Sequence, residues 1–342
     1  MKYFAGGNTR NGFVSLFEEC ISGIPTLFIL KGSSGCGKST LMKKIAKKGE
    51  TLGFRPELIY CSADPDSLDG VIMRESGFAV VDGTSPHTMD VKYPCARETI
   101  INLGQFWDPS KITPHRDEII RLTDEKSLKY KNAYRALSAA GAMEDIAKTF
   151  VTSHLRRKKL DDAVFEFAES VMGDKGTKKR IFASAFTSKG VFSLPAFENV
   201  KIIYKIAGKA SGIFLTSLVQ IAKEQGTEAI VALSPTDGNA PEGIFFQKTG
   251  VLVTTNTETA FETVEEHRIS TTRFLDNAAI SQGKTKLKGF EKISKELLEE
   301  AKSQLVLAKE IHNKIEQIYI PAMDFNAMNS FTESLISQIF QS

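Results

Sequence analysis

The sequence predicts an α/β fold of two tandem units, with mainly parallel sheets flanked by helices, a helical insertion and a C-terminal helical region. Three observations carry this expectation. A glycine-rich octapeptide near the start lies between an apolar run and a helical period. The pattern of the first sixteen residues returns beyond residue 180. An amphipathic stripe of helical period runs through residues 290–318.

The octapeptide is Gly32-Ser33-Ser34-Gly35-Cys36-Gly37-Lys38-Ser39, which matches the Walker A pattern G-x-x-x-x-G-K-[ST]. Residues 26–30 before it are an apolar run fit for a buried strand. After it, apolar residues at 41, 42, 45 and 46 mark one face of a helix. Strand, glycine loop and helix form the context this motif needs. Glycines at 32, 35 and 37 let successive amides turn inward without Cβ clashes. Those amides make an anion nest, and the opening helix adds its positive dipole end. Residues 32–40 (Gly32, Ser33, Ser34, Gly35, Cys36, Gly37, Lys38, Ser39 and Thr40) are therefore expected to bind a nucleotide. Lys38 reaches the β- and γ-phosphates, and the Ser39 hydroxyl ligates Mg²⁺. Cys36 is read as filling a small-residue slot.

Residues 55–61 and 77–83 read as further strands. The second ends at Asp82, a Walker B acid expected to support Mg²⁺ beside the loop. The alternative reading of Asp82-Gly83 is a turn signal. Gly83 stands where many ATPases place a water-polarising glutamate. Asp64 and Asp66 follow the earlier strand, on the rim where α/β sheets bind ligands. Asp64 is a candidate catalytic proton acceptor, although both acids also read as turn or helix caps. His87 is a candidate phosphate or substrate contact. The basic run at 156–159 is a candidate lid over the phosphates or a solvated helix face. No metal-binding pattern of histidine or cysteine stands out.

The repeat is read from identities. Phe4, Ala5, Thr9, Gly12, Ser15 and Leu16 recur as Phe182, Ala183, Thr187, Gly190, Ser193 and Leu194. Asp69-Gly70-Val71-Ile72 and Gly77-Phe78-Ala79-Val80 match Glu242-Gly243-Ile244-Phe245 and Gly250-Val251-Leu252-Val253. Opposite Gly37, Lys38 and Ser39 stand Ile213, Phe214 and Leu215, which cannot cradle phosphate. The expected organisation is a P-loop NTPase domain at 1–175 with a helical insertion at about 115–172. A degenerate P-loop-like domain at 176–342 follows, with a long helix at about 286–318. That helix either packs within the chain or offers a seam to a protein partner or a second copy.

These residues place the chain by resemblance in the P-loop NTPase superfamily. Tyr3-Phe4-Ala5 with Thr9 and Gly12-Phe13, the loop, residues 82–87 and Ile320-Pro321-Ala322-Met323-Asp324-Phe325 resemble a poorly characterised bacterial family of tandem P-loop ATPases. Family members tend to keep an intact second loop, from which this chain departs.

With 42% apolar and 25% charged residues, the composition is that of a globular protein. A net charge of +3 and basic residues without interleaved aromatics disfavour nucleic acid as a partner. No membrane span or signal peptide is read, and the four cysteines form no C-x-x-C pair, so a cytoplasmic location is expected. The function expected is Mg²⁺-dependent binding of a nucleoside triphosphate, with hydrolysis or phosphoryl transfer at the first unit only. ATP is preferred to GTP because no Asn-Lys-x-Asp tetrapeptide is present. The contrasting expectation is a nucleotide-responsive binding module with negligible turnover.

Overall fold

A computed structural model describes residues 1–256 and 264–341. Its first half begins with β1 (Lys2–Phe4), a hairpin of β2 (Gly6–Thr9) and β3 (Gly12–Ser15), and short α1 (Phe17–Cys20). Then come β4 (Thr26–Lys31), α2 (Lys38–Thr51), β5 (Glu57–Tyr60), β6 (Leu68–Met73), β7 (Phe78–Asp82) and β8 (Glu98–Asn102). The half closes with α3 (Pro109–Ile112), α4 (Arg116–Ser153) and α5 (Arg157–Val171). The second half runs β9 (Lys178–Ile181), β10 (Ser184–Thr187), β11 (Gly190–Ser193), β12 (Ile202–Ala207), α6 (Ser211–Glu224) and β13 (Ala229–Leu233). It continues through β14 (Pro241–Phe246), β15 (Val251–Thr254), β16 (Glu265–Ser270), α7 (Asn277–Gln282), α8 (Lys284–Tyr319) and α9 (Phe325–Gln341).

The chain is α/β, with two six-stranded mixed sheets flanked by helices. The first sheet has the order β1-β5-β6-β7-β4-β8, and the second, read from its β9 edge, β9-β13-β14-β15-β12-β16. In each, one strand is antiparallel to both neighbours (β6 or β14) and every other pairing is parallel. Even the register shift recurs, between Ile59 and Tyr60 in β5 and between Ala232 and Leu233 in β13. The central strands β6, β7, β13 and β15 are buried throughout, as strands covered on both faces must be.

The halves meet about an approximate twofold axis. Phe4 and Phe182, equivalent residues, exchange both backbone hydrogen bonds at 2.9 and 3.0 Å. Near the same axis Asn8 donates to the Phe186 carbonyl at 3.1 Å and accepts from the Tyr134 hydroxyl at 3.1 Å.

The helical segments obey the repeat as well. Asp108 caps α3 and Asp276 caps α7. The Asp108 amide donates to Ala322 at 2.8 Å, and the Asp276 amide to His154 at 2.9 Å. The long helices α4 and α8 are counterparts and pack antiparallel. Ala133 and Leu137 meet Ala301 and Leu305, while Leu122 meets Ile311 and Ile315. From Ala301 to Ile315 the apolar stripe of α8 is therefore covered by α4 of the same chain, whereas Ile293 nearer its start is exposed.

These helices also exchange their successors between halves. Helix α5 packs on α6, its Leu160, Val164 and Ala168 joining Phe214, Leu215 and Leu218 in one core cluster. Helix α9 packs on α2, with Met328, Leu335 and Ile339 against Leu41, Met42 and Ile45. Each fully buried aliphatic side chain contributes about 1.5–3 kcal/mol, so both seats are firm. Among the described residues no helix is long and apolar enough to cross a membrane.

Candidate functional site

The glycine loop connects β4 to α2 along residues 32–37. Gly32, Gly35 and Gly37 have φ of 154°, 75° and 83°. Gly35 and Gly37 are in the left-handed region that a side chain disfavours. Gly37 is the N-cap of α2 and offers no side chain to its first-turn amides. The Lys38 side chain folds back into the loop, where its Nζ donates to the carbonyls of Gly32 at 2.7 Å and Ser33 at 3.0 Å. The loop thus wraps an ammonium. Cys36 is buried beneath it, its thiol pushed up by burial against the opposing pull of Lys38. A thiol kept protonated and covered fits the small-residue slot read from the sequence.

Asp82 ends β7, the parallel neighbour of β4, in register with Leu30. Its Oδ2 lies 3.6 Å from Lys38 Nζ. Its Oδ1 accepts from the Thr84 amide at 2.8 Å and the Thr84 hydroxyl at 2.6 Å. One oxygen of Asp82 thus closes a turn, and the other faces the Lys38 ammonium. The Ser39 hydroxyl oxygen accepts from the Leu68 amide at 3.0 Å, tying the loop before β6 to the start of α2. Among the described residues no group of three or more His, Cys, Asp or Glu could hold a metal ion. Ser39 and Asp82 offer one hydroxyl and one carboxylate, a donor set suited to Mg²⁺ that keeps waters and takes phosphate oxygens.

Asp64 lies on the loop after β5. Its Oδ2 accepts from Ser67 at 2.7 Å, and its Oδ1 pairs with Lys309 at 2.9 Å. Burial works to raise its carboxyl, and hydrogen bonds from Lys309 and Ser67 bring it below the ordinary value. Asp66 is exposed, with Lys189 of the β10–β11 turn 3.6 Å away. His87 is buried, its Nε2 2.9 Å from Asp69 and its ring against Phe13 and Phe17. It packs under the β2–β3 hairpin and is not exposed to contact a ligand. The basic run 156–159 starts α5, which packs on α6 of the second half. Arg157 is paired there with Asp161 at 2.8 Å. The segments packed on the glycine loop are different ones.

Those segments come from the second half. A Cβ on Gly35 would lie 2.8 Å from Ile320 Cγ1, and one on Gly37 would lie 2.6 Å from Met328 Cε. His312 Nδ1 is 3.3 Å from Ser34 Oγ, and its Nε2 is 3.5 Å from Glu316. Lys44 donates to Asn329 at 3.0 Å. The end of α8, the 3-10 turn at Ile320–Ala322 and the start of α9 therefore form the outer wall of the loop. Sequence reading missed Lys309, His312 and Glu316. Their i, i+3, i+7 spacing beside the apolar stripe was the available signal, and no local pattern says which loop such a face will meet.

In the second half the equivalent stretch has a different course. Helix α6 starts at Ser211, so residues opposite the end of the glycine loop are wound into helix. Phe214, opposite Lys38, is 1% exposed and packs with Phe167 and Phe274. Lys209 pairs with Glu291 at 2.8 Å on the surface, so it does not stand in for Lys38. Opposite Asp82 stands Thr255, whose hydroxyl donates to the Glu242 carbonyl at 3.2 Å. No protein-family model, curated protein or solved structure matches this chain.

Proposed function

We propose that the first half binds a magnesium-bound nucleoside triphosphate at residues 32–40, ATP in preference to GTP, and hydrolyses it or transfers its terminal phosphoryl group. The second half has no nucleotide site of its own and has a structural or regulatory part. The observation that carries this reading is the loop itself. Two left-handed glycines and an uncapped helix start surround the Lys38 ammonium, with Asp82 3.6 Å away on the adjacent strand. Amides, an ammonium and a helix dipole are what a polyphosphate requires. Mg²⁺, placed by Ser39 and Asp82, would neutralise charge on the phosphates. Positioning and charge neutralisation would supply most of the rate enhancement.

Calorimetry with Mg·ATP tests the reading. Lys38→Ala should abolish measurable binding while the protein stays folded, and unchanged affinity refutes the assignment. A second reading, a nucleotide-responsive module with negligible turnover, is favoured by Gly83, which leaves no carboxylate directly after Asp82 to polarise water. Steady-state phosphate release, with and without candidate acceptors, separates the two. Turnover no higher than that of Lys38→Ala selects the binding module.

A further inference from the structure

We infer that the second half completes the nucleotide site of the first: Lys309 on α8 is the cation delivered to the terminal phosphate, and Asp64 holds it at the site until a triphosphate arrives. This rests on the nucleotide-binding reading above and gives the inert half a chemical part in it.

Four contacts fix the placement. His312, one turn beyond Lys309 on the same face, meets Ser34 at 3.3 Å, so this face of α8 lies on the loop. Ile320 continues that contact at Gly35. Asp64, the partner of Lys309 at 2.9 Å, belongs to the segment that Leu68 ties to Ser39 at 3.0 Å. Lys309 is thus held between the first turn of the loop and the segment that closes on the magnesium-side hydroxyl. The pair it makes is about a third exposed on each side. Such a pair is weak, so exchanging a carboxylate for a multiply charged phosphate is cheap. A cation brought to the transferring phosphoryl group from another body is an established way to stabilise the charge there.

The repeat supplies an independent argument. On α4, the counterpart helix, the place of Lys309 is taken by Gly141, packed against Arg10. At this equivalent position, lysine stands on the helix that faces the intact loop and glycine on its counterpart. Lys189 is less suited, being more than half exposed beside a solvated Asp66.

The test is calorimetry on the full chain with Mg²⁺, using a non-hydrolysable ATP analogue and ADP. Lys309→Ala should weaken the triphosphate by about tenfold or more and change ADP by no more than about twofold, since ADP lacks the group Lys309 meets. Lys309→Arg should restore most of the loss. Lys309→Met, which keeps the aliphatic stem, answers the same question if the alanine variant folds poorly. Equal weakening of both nucleotides, or of neither, overturns the inference and leaves the loop assignment standing. A wild-type protein that binds neither nucleotide overturns both.

Discussion

In the first half the helix after β4 opens with Lys38 and Ser39 behind a left-handed Gly37; in the second the equivalent positions carry Ile213, Phe214 and Leu215, already inside α6. The sheets beneath have the same strand order, the same single antiparallel strand and the same register shift. The fold is therefore kept while the loop residues are replaced, because the sheets do not depend on them. Where Gly35 and Gly37 take left-handed backbone, the chain stays outside the helix and folds around the Lys38 ammonium. Of the two glycines in the second stretch, Gly208 keeps a positive φ of 105° before the helix, and Gly212 is helical, so the segment winds up. The first half holds polar groups at the sheet edge too. Glu57 accepts from Tyr3, Arg74 and Lys179, whereas Ile230 occupies its place in the second sheet.

The sharpest way to break this comparison is to remove the ring that replaced the ammonium. Phe214→Ala should cost about 3–5 kcal/mol of stability, read by chemical denaturation, with nucleotide affinity unchanged. A loss of affinity without a loss of stability would refute the division of labour.

Next comes pH. Burial opposes ionisation of Glu57, but hydrogen bonds from Arg74 and Lys179 hold its carboxyl down to about 2, from a usual 4.5. A depressed folded value means the stabilisation is fully present above about pH 4.5 and is lost as pH falls towards 2. The amount is on the order of 3 kcal/mol. Glu57→Gln should flatten the fall in stability between those limits, and an unchanged slope would remove Glu57 from the account.

The smallest effects have opposite signs. Gly37→Ala, at φ 83°, should destabilise by roughly 1–2 kcal/mol. Gly212→Ala, on a helix with open space around the added methyl, should stabilise by about 0.5–1 kcal/mol. Thermal melts of the two variants check the contrast.

The glycine loop, its flanking strand and helix, and strands β5 and β7 were legible because each leaves a local signature: glycines at fixed spacing, an apolar run, an acid at a strand end. The repeat was legible through Phe4 and Phe182 and their neighbours. Strand β8 was not, since its burial does not alternate along residues 98–102. The relation of α4 to α8 escaped because their identities are few and scattered: Ala133, Leu137 and Ala140 with Ala301, Leu305 and Ala308, preceded by Phe106 with Phe274 and Asp108 with Asp276. The wall of the candidate site was hidden for a further reason. Lys309 and His312 meet the loop through a contact between segments more than two hundred residues apart, and no periodicity reports where a helix face will land.

The exchange of α5 and α9 has one more consequence. Severing the polypeptide at the linker near residue 175 would not yield two self-sufficient pieces: one fragment would leave α2 unroofed, the other would leave α6 bare. The molecule is in effect a dimer written as a single chain, and neither half can be deleted without baring the other.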